Sequence, residues 1–377
     1  MNSIFIALLV LALGAAWVFF WRQWQDHEEI QPDVEHDERV SPLLRGINYL
    51  LSDEPDRALQ EMVQVARLRS EAADVYMALG EMFRAHGEIG RAVRIHQNIL
   101  ARPDVPSPLY LQAHFALAKD FQTGGLLDRA LRHYQKVLDV KSDHIDALTA
   151  SLRIREQSSE WAQAEELLSR IERLKGDEDS LHRAYLWSAL ASDAMGSGDM
   201  DVAERYIQKS LDLAKACGHA HILKIKMALE KGHLEEIKSA IECMQKDAPR
   251  YLHLLVPLLI QKDGKAYEDL LMQCWVSEQD DELALAWLEE VARFNPDAIS
   301  DLQQRLEFVS HSLRNSLRLA ALGMNGDSVF VAHAKQWRAS MKHYCCTECG
   351  VQIVDMRWQC PQCHHWGSME ALMENHG

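Results

Sequence analysis

The chain has 377 residues, of which 47% are hydrophobic and 25% are charged, and its formal net charge is −16 at pH 7. This length exceeds what one compact domain usually holds, so it predicts several domains or an extended array. The acidic balance argues against a nucleic-acid partner, because contact with phosphates needs a basic face.

The first predicted element is a transmembrane anchor over residues 1–21. Residues 4–21 contain no charged side chain, and a helix of that length spans about 27 Å, close to the bilayer hydrocarbon core. A cleaved signal peptide would need a basic start and a small-residue cleavage site, and the sequence has neither. A buried core helix is the other alternative to an anchor, but such a helix is expected to show a polar face.

The region after the anchor predicts the orientation of the chain. Arg22, Arg39 and Arg45 follow the span, and no Lys or Arg precedes it, so the bulk of the chain is expected in the cytoplasm. Residues 22–40 are acidic and contain Pro32, which predicts a solvated linker. This linker either holds the next domain off anionic headgroups or serves only as a spacer.

Residues 41–340 are predicted to form an array of helical hairpins. The clearest copy spans residues 76–103, with a turn at residues 86–88 and a proline at its end. Each of its helices carries a stripe with the spacing of a buried face. The stripes consist of Tyr76, Leu79, Gly80 and Phe83 in the first helix, and of Ala92, His96 and Ile99 in the second.

Small or apolar residues recur along the array at steps of 34 residues, with longer steps of 38 from Ala92 to Ala130 and of 39 from Ala164 to Ala203. The pairs that lie 34 residues apart are Gly46 and Gly80, Ala58 and Ala92, Ala130 and Ala164, and Ala203 and Ile237. This pattern resembles the tetratricopeptide repeat (TPR), in which each hairpin buries its face against its neighbours. The fold class is therefore predicted to be all-α, a TPR-like solenoid rather than a non-repeating bundle. Later repeats are expected to be degenerate, with turns at Gly232 and Gly264.

The array shows no catalytic constellation, because phosphate-loop, HExxH and GxSxG motifs are absent from the sequence. Residues 195–199 are glycine-rich but follow a helix rather than a strand, so they predict a turn. The protein is therefore predicted not to be an enzyme.

The carboxyl-terminal residues, 341–377, are predicted to form a small metal domain. Its candidate ligands are two Cys-x-x-Cys pairs with ten residues between them: Cys346 and Cys349, Cys360 and Cys363. Such turns can aim four sulfurs at one ion, which suits zinc or a single iron. A redox dithiol or disulfides are the alternatives, but paired knuckles at this spacing favour a metal that supplies much of the domain's stability.

Other residues of this domain carry narrower expectations. Cys345 would leave an unfavourable spacing as a ligand, so it is predicted to be a bystander. Residues 351–359 alternate in polarity and are expected to form a hairpin. Trp358 and Trp366 are expected to cover the cluster or dock it on the last repeats. The knuckles resemble the rubredoxin type, although His364 stands where rubredoxins often have glycine, which implies a less open second turn.

The order of anchor, TPR array and rubredoxin-like domain resembles the lipopolysaccharide assembly protein B family of Gram-negative bacteria. The resemblance implies an inner-membrane adaptor, single-pass and mainly cytoplasmic, with iron held by Cys346, Cys349, Cys360 and Cys363. It implies as partners an AAA+ membrane protease of the FtsH type, the lipid A pathway deacetylase that this protease degrades, and inner-membrane lipopolysaccharide-sensing and assembly proteins. The alternative is a membrane-tethered, rubredoxin-like electron carrier, for which the long array would be surplus.

Overall fold

The computed structural model describes residues 45, 49, 57, 60–61, 73–101, 105–278, 280–306, 313–323 and 328–372. The predicted anchor and acidic linker lie outside these residues, as do Gly46 and Ala58 of the first repeat. Within the described ranges, no helix combines the length and the apolar character that crossing a membrane requires.

The contacts divide the chain into two compact units, residues 1–125 and 126–377. In the first unit α1 and α2 form a helical hairpin, and α3 packs against both. These described helices are α1 Ala73–Ala85, α2 Ile89–Leu100 and α3 Ser107–Thr123. Contact between one first helix and the next is the stacking expected of TPR-like repeats.

The second unit continues with helical hairpins and ends in the small β-sheet domain. Its described helices, α4 to α16, are Leu127–Val140, Ile145–Gln157, Trp161–Lys175, Ser180–Gly196, Met200–Leu213, Gly218–Lys231, Leu234–Asp247, Leu255–Asp263, Glu268–Glu278, Asp281–Phe294, Ile299–Arg305, Leu313–Ala321 and Ser328–Ser340. Short 3-10 helices cover Pro249–Leu254 and Pro296–Ala298. The pairs α5–α6, α7–α8 and α9–α10 pack as hairpins, and α7 also contacts α9. The predicted TPR-like helical fold is confirmed for these residues.

The residues that define the 34-residue step, four alanines and one isoleucine, are buried in their helices. Ala92, Ala130, Ala164, Ala203 and Ile237 each occupy the fourth position of their helix, and all are 0% exposed. A small side chain there lets the neighbouring helix approach closely. The prediction that helical pairs nest at these positions is confirmed for the described copies.

Gly80 of α1 faces a histidine that is held in place by a buried polar cluster. The Nδ1 atom of His96 lies 2.6 Å from Oδ2 of Asp120, and Arg84 donates from Nη1 to Oδ1 of the same carboxylate at 2.9 Å. His96 and Asp120 are fully buried. A Cβ atom on Gly80 would lie 2.3 Å from Nε2 of His96, so the fixed ring requires glycine.

We expect Gly80→Ala to lower the free energy of unfolding of the first unit by about 1–3 kcal/mol, because overpacking forces side chains off their rotamers. Thermal unfolding and hydrogen exchange of the α1 amides measure the effect. Gly90→Ala is the matched control, because its added Cβ meets nothing within 4 Å and alanine stabilises a helix by about 0.5–1 kcal/mol relative to glycine. Equal stability of the two variants would contradict a fixed His96 ring.

The glycine-rich segment at residues 195–199 comprises the last residues of α7 and the turn that leads to α8. Gly198 has φ 83°, a left-handed conformation that glycine adopts without strain. Asp199 caps α8 by accepting the N–H of Val202 at 3.2 Å. The segment is therefore the predicted turn, and the predicted turns at Gly232 and Gly264 also lie between helices.

A buried ion network ties the helices that precede the β-sheet domain to α13. Arg318 of α15 is 2% exposed and donates from Nη1 to both oxygens of Glu282, at 2.9 and 2.7 Å. Its Nε donates to Glu289 at 2.9 Å, and Arg338 of α16 reaches the other oxygen of Glu289 at 2.9 Å. Two guanidinium groups thus offset two carboxylates where α13, α15 and α16 meet.

The β-sheet domain has three strands, with β1 between β2 and β3 and antiparallel to both. The strands are β1 Tyr344–Cys346, β2 Gln352–Ile353 and β3 Met369–Ala371. The expected hairpin within residues 351–359 is wrong. Each knuckle is itself a turn, so β2 pairs with β1 across the first knuckle and Gln359 pairs with Trp366 across the second.

Candidate metal centre

The structure brings together the four predicted ligands, whose sulfur atoms all lie within 4.8 Å of one another. The Sγ atoms of Cys346 and Cys363 are 3.6 Å apart, and those of Cys349 and Cys360 are 3.7 Å apart. A disulfide bond measures about 2.05 Å. Sulfurs at the corners of a tetrahedron with metal–sulfur bonds of about 2.3 Å are roughly 3.8 Å apart. The cluster therefore fits one four-thiolate metal ion.

The two knuckles share one backbone geometry. The N–H of Gly350 donates to the carbonyl of Cys346 at 2.9 Å, and the N–H of His364 donates to that of Cys360 at 3.1 Å. Gly350 and His364 both adopt left-handed conformations, with φ of 74° and 61°. The second turn thus has the conformation of the first, although a side chain replaces the glycine hydrogen.

Hydrogen bonds and burial set the charge that the site can carry without a metal. Burial would raise the pKa of Cys346, but its hydrogen bond with the Ser368 hydroxyl and those with the N–H groups of Cys349 and Glu348 lower it to about 6. In contrast, burial and the neighbouring sulfurs raise the pKa of Cys363 to about 12. Ionised sulfurs this close repel one another, so a bound cation is what would let all four become thiolates.

The extra thiol of Cys345 lies outside the cluster. Its Sγ is 3.7 Å from the carbonyl oxygens of Cys346 and Gly350. Cys360 lies deep inside the site, where its sulfur accepts the N–H groups of Gln362 at 3.4 Å and Cys363 at 3.5 Å. These contacts distinguish Cys345, whose sulfur points away from the cluster, from the four cysteines whose sulfurs lie together.

The two tryptophans that flank the second knuckle dock the metal domain on the middle hairpins. Trp366 stacks on Tyr185 of α7, with centroids 5.6 Å apart and planes at 20°. Trp358 stacks on His219 of α9 at 5.1 Å and meets Tyr251 edge-on at 5.1 Å. Burial lowers the pKa of His219 to about 3, so a neutral ring stacks there. The expectation of docking on the last repeats is corrected in part: the ring partners come from the middle of the chain, but Trp358 also packs against a hydrophobic cluster that includes later helices.

The backbone at Gly367 completes the docking. Its carbonyl accepts hydrogen bonds from Tyr251 Oη and Arg250 Nη2, each at 3.1 Å. A Cβ atom at this position would lie 2.6 Å from Oη of Tyr185. The tyrosines and the arginine are more than a hundred residues away in sequence and belong to no motif, so the sequence gives no signal for them.

We expect Gly367→Ala to weaken docking of the metal domain, because the new methyl group would collide with the Tyr185 ring. The free energy of unfolding should fall by about 2–4 kcal/mol, combining overpacking with a strained left-handed residue. Thermal unfolding and tryptophan fluorescence report the change. Gly232→Ala is the control, with φ 72° but nothing within 4 Å of the added Cβ, so it introduces only the backbone strain. Equal losses in the two variants would contradict the close contact.

The fold and the site together define a class of protein: a TPR-like helical array that carries a docked four-cysteine domain. Residues 344–371 match the family model described as "Rubredoxin metal binding domain". This match covers all three strands and both knuckles.

Two curated relatives are similar over nearly the whole chain. Lipopolysaccharide assembly protein B of Escherichia coli K12 is 26% identical over 385 aligned positions, which cover 97% of this chain and 98% of that protein. The protein of the same name from Haemophilus influenzae is 26% identical over 393 positions, with the same shares of both chains. The resemblance that the order of motifs predicts is confirmed by these relatives.

Solved structures similar to this chain include two TPR proteins. A tetratricopeptide repeat protein from Parabacteroides merdae has a TM-score of 0.35 at 13% identity, covering 75% of this chain and 98% of its own. A TPR protein from Thermus thermophilus has a TM-score of 0.28 at 18% identity, covering 48% of this chain and 94% of its own.

Proposed function

We propose that this protein is an adaptor in lipopolysaccharide assembly, tethered to the inner membrane with its bulk in the cytoplasm. The observation that carries the proposal is similarity over 97% of the chain, and 98% of the relatives, to proteins named for that assembly. Stacked helical hairpins also suit an adaptor, because they offer an extended surface on which other proteins dock.

The finer proposal concerns what the adaptor brings together. It presents the lipid A pathway deacetylase to an AAA+ membrane protease, which lowers flux into lipopolysaccharide, and it scaffolds assembly proteins at the membrane. Residues 1–21 act as the tether. Tethering raises the effective concentration of partners in the same membrane, so that individually weak contacts suffice.

The proposed role of the metal is structural, with iron as its identity and zinc as the alternative. The four thiolates would hold the ion, and the ion would supply the charge that lets four close sulfurs ionise together. The chain's own contribution is the docking that fixes the domain against the helices, through Trp358, Trp366 and Gly367.

The test is the half-life of the deacetylase after translation is blocked, in cells that lack the protein. The deacetylase is expected to persist there and to be degraded again when the full chain is supplied. A chain without residues 1–24 and a Cys346→Ser/Cys349→Ser variant are expected not to restore degradation. An unchanged half-life in the deletion strain would contradict the proposal, and reversible redox turnover with a reductase would instead support an electron carrier.

A further inference from the structure

A single buried carboxylate on the helical array binds both ends of the second knuckle. Glu156 lies in the last turn of α5, and its side chain is 3% exposed. Its Oε2 accepts Nε2–H of Gln359 at 2.9 Å, and its Oε1 accepts Nε1–H of Trp366 at 3.1 Å. Gln359 and Trp366 pair across the knuckle that carries Cys360 and Cys363. The Glu156 carboxylate therefore contacts the residues at both ends of this loop.

The other partner of Glu156 comes from the array itself. Nε2 of His182, at the start of α7, pairs with Oε1. Among the described residues, His182 is the only ion-pair partner of Glu156. Three side chains hydrogen-bond to the Glu156 carboxylate, and two of them, Gln359 and Trp366, belong to the metal domain. A buried carboxylate depends on its donors, because a charge removed from water is destabilising without them. Disorder in the knuckle would therefore leave this carboxylate, between α5 and α7, without two of its hydrogen-bond donors.

We propose that Glu156 is a positioning residue for the metal site, and that it couples metal loading to the contact that joins α5 and α7 through Glu156 and His182. By fixing Gln359 and Trp366, it holds Cys360 and Cys363 in the geometry that the ion needs. Partners in the outer shell of a metal site commonly tune its affinity in this way. The coupling is reciprocal by thermodynamic necessity, so the ion in turn stabilises the helices around Glu156. This inference does not depend on the adaptor role.

The chain offers a matched control for Glu156. Glu172 of α6 is also a buried carboxylate, 6% exposed. It pairs with Arg183 and accepts the N–H of Asp179 at 2.9 Å, and all these residues belong to the array. Glu172→Gln therefore disturbs a buried carboxylate in the same helical unit without touching the metal domain.

The experiment uses the full chain in detergent, reconstituted with Zn²⁺, and follows release of the ion to a chromophoric chelator. Glu156→Gln is expected to release Zn²⁺ about 10-fold faster than the unsubstituted chain, or more, in line with outer-shell substitutions elsewhere. Glu172→Gln is expected to release it at the unsubstituted rate, even where its thermal stability falls. Reconstitution with Co²⁺ adds a spectroscopic readout, in which Glu156→Gln alters the cobalt–thiolate absorption and Glu172→Gln does not.

The reciprocal arm measures hydrogen exchange. Removing the ion from the unsubstituted chain is expected to increase exchange at the end of α5 and the start of α7, and this increase should shrink in Glu156→Gln. Release of Zn²⁺ at the unsubstituted rate by Glu156→Gln, or equal acceleration in Glu172→Gln, would overturn the proposal. Should Glu156→Gln not fold, Gln359→Leu and Trp366→Phe each remove one donor and must each accelerate release; failure of either to do so overturns the proposal equally.

Discussion

Replacing Cys360 by serine is expected to abolish stable metal binding. Residues 344–371 should then unfold and lose their contacts with the helices. Cys360 is fully buried, and its sulfur lies 3.7 Å from that of Cys349. A structural zinc ion contributes on the order of 10 kcal/mol in small zinc-binding peptides. A domain whose strands have two or three residues has little hydrophobic core of its own to keep it folded. Metal analysis of the purified chain and thermal unfolding measure the two effects.

Cys345→Ser is the control for this substitution. It changes the same chemical group next to a ligand, but its sulfur lies outside the cluster, against the carbonyls of Cys346 and Gly350. Metal content and unfolding temperature should therefore stay unchanged. A Cys360→Ser protein with full metal content and the original unfolding temperature would show that the ion is not held by these four sulfurs.

The second large effect is expected from Arg318→Leu, which should lower the free energy of unfolding by about 3–5 kcal/mol. Removing one partner of a buried pair leaves the other charge uncompensated, and here two carboxylates, Glu282 and Glu289, lose their shared donor. Burial raises the pKa of Glu289, but the charge and hydrogen bond of Arg318, with help from Arg338, lower it overall. Chemical denaturation at several pH values measures the loss.

The pH dependence has a definite sign. A carboxylate whose pKa is lowered by folding contributes stability above its unfolded pKa, and loses that contribution as the pH falls through the folded value. The difference between Arg318→Leu and the unsubstituted chain should therefore be largest at neutral pH and shrink below about pH 4.5, the ordinary value for glutamic acid.

The control for Arg318 is an exposed pair. Lys231 and Glu204 are 3.3 Å apart, and their side chains are 43% and 64% exposed. Lys231→Leu should change stability by no more than about 0.5 kcal/mol. Adding Glu282→Gln and Glu289→Gln to Arg318→Leu removes the buried charge and should recover part of the loss. Equal losses of stability in Arg318→Leu and Lys231→Leu would show that burial of the ion network is unimportant.

The features that the sequence predicted correctly are those in which a local pattern imposes the structure. The fourth residue of each second helix must be small or well packed for its partner to approach, so the 34-residue step from Ala130 to Ala164 reveals the repeat by spacing alone. Two Cys-x-x-Cys turns likewise place four sulfurs within reach of one ion. Both arguments use residues that are close in sequence.

The features that sequence analysis missed depend on contacts between distant segments. Glu156 contacts Trp366 across 210 residues, and a lone glutamate on a helix gives no sign of a partner so far away. The alternating residues 351–359 suggested a hairpin, but pairing across the knuckles outweighed the local pattern. Tyr185 of α7 and Tyr251 of a 3-10 helix belong to no sequence motif, so nothing indicated that they receive the tryptophans of the metal domain.

The docking of the last domain on the middle of the chain has a consequence for biosynthesis. At 5–20 residues per second, a ribosome needs about 10–40 s to pass from Glu156 to Trp366. Until then the nascent chain exposes Tyr185, Tyr251 and the Glu156 carboxylate, because the metal domain that covers them has not been synthesised. A truncated polypeptide would keep that surface bare, so proteases and chaperones could distinguish an unfinished copy from a finished one.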